Sequence, residues 1–351
     1  MRGRALVVVM LVGCYAPGPH PGSPCTNGKC GGGLVCAPET QTCEFAALDS
    51  GVPLDDSAIF GGFEDAPPIL IDGCSPSPEI CGDGIDQDCN GSDAPCPTND
   101  LATGAIDVTA GGPFTANLAA AHDNIGGGNC GGSGGRDVFY KVTLNAPQVY
   151  YFDTFGSSFD TVLRVYAGAC TAVAAGAMPI TCGDDSCGGK QTQIALSLGS
   201  GTSCIVVDQK SSAETAGSVH LAVTPGGRDG TRLAAGAQTN TGNTCNATSV
   251  DNPDPACGDP DSKDIGYFFT NCPGANRLLD AATCVGSDQN FDSVIYVRRG
   301  TNELACSDDD CAPYLSQFAD APINSTGLYW MIVDGYASGD CGAYQLTTNL
   351  R

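Results

Sequence analysis

The sequence predicts an all-β protein with two tandem antiparallel β-sandwiches, preceded by small disulfide-rich modules and a disordered tether. From residue 101 onward, one series of motifs occurs twice in the same order. Within each copy, apolar residues alternate or form short β-branched runs separated by Gly, Asp and Pro turns, the pattern of an antiparallel sandwich. The 48 Gly and 22 Pro demand many turns, and no stretch carries a convincing helical stripe.

Charge and cysteine content exclude some partners and indicate the compartment. The 351 residues include 15 Lys+Arg and 39 Asp+Glu, a formal net charge of -24. Such a chain repels phosphate backbones, and without a basic cluster it is not expected to bind nucleic acid. The 21 cysteines indicate an oxidising compartment.

The N-terminus has the features of an export signal. Two arginines precede an apolar run over residues 5–13 that is too short to span a bilayer and ends in Leu-Val-Gly before Cys14. This string resembles the lipobox of bacterial lipoproteins, which implies a signal peptide over 1–13 and a lipidated Cys14 that anchors the chain to the membrane. Tyr15 then favours the outer membrane and cell surface of a Gram-negative bacterium. The alternative is an ordinary secretory signal with a chance cysteine.

Residues 14–24 form a Pro/Gly tether, and a first Cys-rich module follows over 25–43. The module is too short for a hydrophobic core, so disulfides are expected to hold it. The string PCTNGKCGGGLVCAPETQTC resembles the small dickkopf N-terminal type of module found in Cys-rich surface lipoproteins. Zinc is the alternative, although the CxxC spacing is absent. The cysteines of this first module are Cys25, Cys30, Cys36 and Cys43. An acidic Pro/Gly linker follows the module over 44–73.

A second module over 74–96 is bracketed by four cysteines, Cys74, Cys81, Cys89 and Cys96. Its string CGDGIDQDCNGSD resembles the MopE-type metal-binding motif. Oxygen side chains at alternate positions before a glycine also match the first half of an EF-hand-like calcium loop, although Pro97 stands where the bidentate Glu would be. Hard oxygen ligands without a nearby His or Met favour calcium over the copper that the family name suggests. Alternatively, these residues only shape turns. The candidate ligands are Asp83, Asp86, Asp88, Asn90 and Asp93.

The repeated motifs define sandwiches over 101–225 and 232–351. The first copy's predicted strands include VFYKVTL, FDTVLRV, QIALSL, CIVVD and SVHLAVT. The corresponding pairs are Asp137-Val-Phe-Tyr with Asp264-Ile-Gly-Tyr, Phe159-Asp160 with Phe291-Asp292, Cys182-Gly-Asp-Asp-Ser-Cys187 with Cys306-Ser-Asp-Asp-Asp-Cys311, and Val207-Asp208 with Val333-Asp334.

The strings FDTVLRVYAGAC, TCGDDSCG, CIVVD and SVHLAVT resemble the bacterial pre-peptidase C-terminal domain. The resemblance implies a jelly-roll-like β-sandwich of the kind appended to secreted proteases and surface proteins. Calcium is known in some domains of that family. The extra cysteines and a Gly-rich insertion over 126–135 depart from the family pattern.

Each copy also carries aspartates that are candidates for a calcium site, in a loop that we expect Cys182 and Cys187 to close in the first copy and Cys306 and Cys311 in the second. The alternative is that these side chains cap turns. The candidates are Asp160, Asp184, Asp185 and Asp208 in the first copy, and Asp292, Asp308, Asp309 and Asp334 in the second.

The sequence predicts no enzymatic activity. The G-x-S-x-G string around Ser133 lies in a glycine run rather than between a strand and a helix. His20, His122 and His220 have no partner at a recognisable spacing. The copies contain five and seven cysteines, both odd, which predicts either one disulfide between them or a free thiol in each.

These observations favour a non-catalytic, lipid-anchored cell-surface protein that binds or adheres to an unidentified protein or polysaccharide, with calcium stabilising its loops. A metal-sequestering envelope protein is the second hypothesis. A non-catalytic accessory or remnant of a secreted protease is the third.

Overall fold

The computed structural model describes residues 35–36, 43–44, 76–77, 79–126, 130–131, 134–173, 177–213, 215–258, 261–311 and 313–351. The predicted signal peptide, Cys14, the tether, Cys25, Cys30, almost all of the linker, Cys74 and Ser133 lie outside the described residues. Within the described ranges, no helix combines the length and the apolar character needed to cross a membrane.

The chain divides into two compact units, residues 1–69 and 70–351. In the first unit, β1 (Val35–Cys36) and β2 (Cys43–Glu44) form an antiparallel pair with Cys36 opposite Cys43. These strands belong to the first Cys-rich module.

The second unit contains the second Cys-rich module and the two β-sandwiches. The first sandwich has the sheets β3-β5-β10-β7-β8 and β4-β11-β6-β9. Its strands are antiparallel apart from the short pairing of β3 with β5. They are β3 (Ile106–Asp107), β4 (Gly112–Asn117), β5 (Asp137–Leu144), β6 (Gln148–Asp153), β7 (Thr161–Ala167), β8 (Thr181–Gly183), β9 (Gln193–Leu198), β10 (Gly201–Gln209) and β11 (Ser218–Pro225).

The second sandwich has the sheets β12-β14-β19-β16-β17 and β13-β20-β15-β18, which is the same order shifted by nine strands. The predicted all-β fold and the duplication are therefore confirmed. Its strands are β12 (Thr231–Arg232), β13 (Gly236–Asn243), β14 (Ile265–Asn271), β15 (Arg277–Ala282), β16 (Ser293–Arg299), β17 (Asn302–Asp308), β18 (Gln317–Ile323), β19 (Gly327–Gly335) and β20 (Ala343–Leu350). Short 3-10 turns lie at Ala102–Gly104, Cys170–Ala172, Ser186–Gly188 and Thr244–Asn246.

Successive side chains of a strand point to opposite faces of its sheet, so one strand can contribute both to the core of its own sandwich and to the contact between the sandwiches. On β6, Tyr150 and Phe152 point into the first sandwich's core, whereas Val149 and Tyr151 pack against the second sandwich. The outer face of the first copy's four-stranded sheet therefore covers the outer face of the second copy's five-stranded sheet. The second copy contributes Phe268, Val294, Tyr296, Leu328, Trp330 and Ile332 to this contact.

The segment between the sandwiches reinforces the contact through Arg228, which is buried. Its backbone carbonyl accepts a hydrogen bond from the Val149 amide of the first copy at 2.8 Å. Its guanidinium pairs with Asp264 and, at 2.7 Å, with Asp251, and it lies 5.6 Å from the centroid of the Trp330 ring. One side chain thus joins the connecting segment to the second sandwich.

The disulfides correct one pairing expectation. Cys182 and Cys187 do not close one loop, because Cys182 bonds to Cys130 and Cys187 bonds to Cys272 of the second copy. The bond between the copies is the first of the two outcomes that the odd cysteine counts predicted. Cys306 and Cys311 likewise have separate partners. The other described bridges are Cys81–Cys96, Cys170–Cys204, Cys245–Cys341, Cys257–Cys306 and Cys284–Cys311.

Candidate metal centres

Three carboxylates of the second sandwich converge where β16 begins and β17 ends. Asp292 immediately precedes β16, Asp308 is the last residue of β17, and Asp309 follows with a left-handed φ of 58°. Aspartate tolerates this conformation better than most residues, and the turn brings consecutive side chains to one side. One oxygen of each carboxylate lies within 4.8 Å of the others.

This cluster has an excess of negative charge. Burial, followed by the neighbouring carboxylates of Asp309, Asp292 and Asp310, raises the pKa of Asp308 to about 6. Burial and the charges of Asp309 and Asp340 also raise the pKa of Asp292. The Oδ1 atoms of Asp292 and Asp308 are buried without a hydrogen-bond partner, and among the described residues no ion pair reaches the three carboxylates. A bound cation would lower this repulsion.

The first sandwich has the corresponding cluster, but it supplies its own cation. Asp160, Asp184 and Asp185 have oxygens within 4.8 Å of one another. The ammonium of Lys210 contacts Asp184 and lies 3.5 Å from Asp185. The hydrogen bond to Asp184, the largest influence, raises the pKa of Lys210. This amine therefore neutralises part of the negative charge of Asp184 and Asp185.

The two copies differ at the position of this amine. Val207-Asp208-Gln209-Lys210 corresponds to Val333-Asp334-Gly335-Tyr336, so a tyrosine replaces the lysine. Tyr336 is exposed, and its phenol carries no positive charge that could neutralise the carboxylates. The same aspartate geometry is thus neutralised internally in one copy and not in the other.

Asp208 and Asp334, which the sequence placed among the metal ligands, do not join either group. Asp208 accepts hydrogen bonds from Arg164 at 3.2 and 3.1 Å, and both side chains are buried. Asp334 accepts hydrogen bonds from Ser262 and Tyr296. Both oxygens of Asp334 accept hydrogen bonds, whereas only Oδ2 of Asp208 does and its Oδ1 is buried without a hydrogen-bond partner. Among the described residues, neither aspartate belongs to a group of converging carboxylates, so the prediction is corrected for both.

The second Cys-rich module brings together Asp86, Asp88 and Glu79, with oxygens within 4.8 Å of one another. Glu79 was not predicted because it lies outside the alternating acidic string. Only 8% of the residue is exposed, and its Oε2 accepts a hydrogen bond from the Asp88 amide at 3.0 Å. Its Oε1 is buried and has no hydrogen-bond partner, which suits a cation ligand.

The remaining candidates of this module shape turns. Asp93 accepts hydrogen bonds from the amides of Gly82 and Gly84 at 2.9 and 2.8 Å. Asp83 accepts from the Ile85 amide and from Gln87. The carbonyl of the Asn90 side chain accepts from Ser92. Asp83 and Asp93 are therefore outside the group of Glu79, Asp86 and Asp88. Asn90 adjoins that group, because its backbone amide donates to Asp86 and Asp88 at 3.0 Å and its side-chain amide donates to Asp88 at 2.9 Å.

One histidine has a partner that the sequence did not reveal. His122 Nδ1 lies 2.8 Å from Asp100 Oδ2 and 3.8 Å from Cys81 Sγ. Twenty-two residues separate the histidine from this aspartate, so no local spacing signals the pair. The contact also attaches the second Cys-rich module to the first sandwich.

No family model and no curated protein matches the chain. The chain is similar to the solved pre-peptidase C-terminal domain of a collagenase from Bacillus anthracis, with 14% identity, coverage of 34% of this chain and 95% of that chain, and a TM-score of 0.23. It is also similar to a triple jelly-roll structure from an archaeal virus turret, with 11% identity, coverage of 68% and 59%, and a TM-score of 0.21. A third such structure is the CUB1-EGF-CUB2 fragment of human MASP-1/3, with 10% identity, coverage of 68% and 99%, and a TM-score of 0.17. The likenesses carry no argument about the site.

Proposed function

We propose that this chain is a non-catalytic, lipid-anchored surface recognition protein whose second sandwich takes up calcium. The proposal rests chiefly on Asp292, Asp308 and Asp309, three converging carboxylates with two buried, unpartnered oxygens. Calcium prefers six to eight oxygen ligands and tolerates irregular geometry, so three carboxylates with waters and carbonyl oxygens suit it. Bound calcium would brace the loop between β17 and β18 at the edge of the sandwich.

The calcium site is tested by thermal unfolding of the full chain carrying Glu79→Gln, which removes the second candidate site described below, with calcium and with excess EGTA. We expect Asp308→Asn to abolish the calcium-dependent rise in Tm. The matched control is Asp184→Asn, which changes the equivalent residue of the first copy, and the rise should persist there. A rise that survives Asp308→Asn contradicts the assignment.

A second candidate function, metal sequestration, is favoured by Glu79 in the Cys-rich module. Its buried Oε1 has no hydrogen-bond partner and belongs to a group with Asp86 and Asp88. Calorimetric titration with calcium should show that Glu79→Gln loses one site. Asp83→Asn, in the same module but outside the group, should retain it. A site with micromolar or tighter affinity for a transition metal instead would favour sequestration over structural calcium.

Surface attachment and recognition have their own tests. Cys14→Ser should release the protein from the membrane fraction, because acyl chains on that sulfur are the proposed anchor. The full chain should then be tested for binding to a glycan array and to cell-surface proteins. The Asp308→Asn variant, which lacks the proposed calcium site of the second sandwich, shows whether binding depends on that site. Hydrolytic activity that Ser133→Ala abolishes would contradict the non-catalytic assignment.

A further inference from the structure

The Cys81–Cys96 disulfide lies beside a histidine and a carboxylate that belong to neither proposed calcium site. Cys81 Sγ is 3.8 Å from His122 Nδ1 and 4.0 Å from Asp100 Oδ2. The four ligand atoms of Cys81, Cys96, Asp100 and His122 all lie within 4.8 Å of one another. Two sulfurs, one imidazole nitrogen and one carboxylate oxygen are a ligand set typical of zinc.

We infer that these four residues form a tetrahedral zinc site when the Cys81–Cys96 disulfide is reduced to two thiols. Ligands about 2.0 to 2.3 Å from a tetrahedral zinc ion lie roughly 3.3 to 3.8 Å from one another. The distances from Cys81 Sγ to the nitrogen and to the oxygen are close to this range. The sites proposed above contain only oxygen ligands, so this inference does not depend on them.

The surrounding hydrogen bonds hold the non-sulfur ligands in place. The His122 amide donates to Asp100 Oδ1 at 2.8 Å, and the Asn124 side chain donates to the Asp100 carbonyl at 2.8 Å. Cys81 is held by its amide, which donates to the Ala120 carbonyl. The fold thereby positions three of the four ligands before any metal enters.

The fourth ligand, Cys96, has room to separate from Cys81. A Cβ atom at Gly82 would lie 3.1 Å from Cys96 Sγ, so glycine leaves that side of the sulfur free of a side chain. Cys96 is partly exposed, and the His122 side chain is 39% exposed. A thiol reductant and a zinc ion therefore have a route to the site.

The chemistry balances with a monothiol as the reductant. Two RSH molecules convert the Cys81–Cys96 disulfide into two cysteine thiols and leave one RSSR, a two-electron exchange. Zinc then displaces the two thiol protons to solvent. His122 binds through neutral Nδ1 with its proton on Nε2, and Asp100 Oδ2 exchanges its contact with the ring for the metal. Disulfide and bound zinc thus exclude each other.

The expected signature is a bridge that zinc makes easier to reduce. The full chain is equilibrated in glutathione redox buffers with and without buffered free Zn²⁺, and each bridge is measured by differential alkylation and peptide mass. Zinc should favour reduction of Cys81–Cys96 by at least tenfold, which equals about 30 mV. The buried Cys170–Cys204 bridge is the internal control, because Cys170 contacts the Tyr140 carbonyl rather than a histidine or carboxylate, and it should not shift.

Variants separate this site from general zinc binding. His122→Ala should abolish the zinc-dependent shift, whereas His220→Ala should retain it. The wild-type chain, reduced and loaded with Co²⁺, should show the visible absorption of a tetrahedral site with thiolate ligands. An equal shift at both bridges, a shift that survives His122→Ala, or a cobalt spectrum without thiolate ligation would overturn the inference.

Discussion

The two sandwiches share one strand order but neutralise the same acidic loop in different ways. In the first, Lys210 contacts Asp184 and lies near Asp185. In the second, Tyr336 stands at the lysine position, and the carboxylates of Asp308 and its neighbours repel one another. A duplicated scaffold has therefore kept the geometry of a cation site in both copies while only one copy leaves it available to an external cation.

The copies also differ in how their five-stranded sheets are covered. In the first, the outer face packs under its own connecting segments, with Cys170 and Cys204 bonded beneath them. In the second, the same face packs against the first copy. The outer face of the second copy's four-stranded sheet carries Asp280, which pairs with Arg351, where the first copy has the buried Tyr151.

The largest expected effect comes from removing Arg228, the buried arginine that pairs with two aspartates of the second sandwich. Arg228→Ala leaves the buried carboxylate of Asp264 without a cationic partner, whereas Asp251 keeps its ion pair with Arg298, and the loss costs about 3 kcal/mol. Urea unfolding should show the second sandwich unfolding before the first. The control is Arg299→Ala, which removes an exposed arginine that donates to the Thr326 carbonyl. A wild-type unfolding curve for Arg228→Ala would contradict this.

The next effect concerns the bridge between the copies. Replacing Cys187 and Cys272 with serine should lower the unfolding free energy by roughly 2–4 kcal/mol. The double replacement of Cys284 and Cys311 is the matched control, because it removes a bridge within the second copy. Limited proteolysis should cut the segment between the sandwiches faster only in the first variant. Equal cleavage in both variants would show that the bridge does not fix the copies.

Lys210 and Tyr336 occupy corresponding positions beside the two aspartate clusters, so changing them should change which copy binds calcium. Lys210→Met removes the internal ammonium, so the first copy should gain a calcium site, read as one additional ion per chain. Tyr336→Lys should abolish the site of the second copy. If both variants bind the same number of calcium ions as the wild-type chain, the residue at this position does not decide which copy binds calcium.

The smallest expected effect is the pH dependence of the second cluster. The folded pKa of Asp308, about 6, lies above its unfolded value, so its contribution to stability is present below about pH 4 and is lost as pH rises through 6. Without calcium, the contribution of this group to stability should therefore fall between pH 4 and pH 7. Calcium binds the carboxylate, so its affinity should rise over that interval. Asp308→Asn should remove both trends in Tm measurements across this range.

Sequence patterns predicted the strands and the duplication because alternation and repeated motifs are local or internal signals. On β5, for example, Val138, Tyr140 and Val142 alternate into the core as expected. The cation groups were predicted in part, since Asp292, Asp308 and Asp309 come together while Asp334 does not. The direction of a strand residue depends on its partners across the sheet, and no local pattern shows that Asp208 meets Arg164.

Three features required the fold itself. Glu79 joins Asp86 and Asp88 through a turn that the acidic string does not specify. Lys210 neutralises Asp184 only because the fold brings together two loops whose residues are 26 positions apart in the chain. One feature of the sequence indicates the bridge from Cys187 to the second copy. In the second copy Cys311 bonds to Cys284, but the first copy has Phe155 at the position of Cys284, so Cys187, which corresponds to Cys311, has no equivalent partner within its own copy.

Calcium uptake by the second sandwich is tested most directly by counting calcium ions calorimetrically at pH 7.5 in a Glu79→Gln background, which removes the module's proposed site. We expect one calcium ion per chain, no ion when Asp308→Asn is added, and one ion when Asp184→Asn is added instead. Retention of the ion in the Asp308→Asn chain, or its loss in the Asp184→Asn chain, would contradict the claim that only the second sandwich takes up calcium.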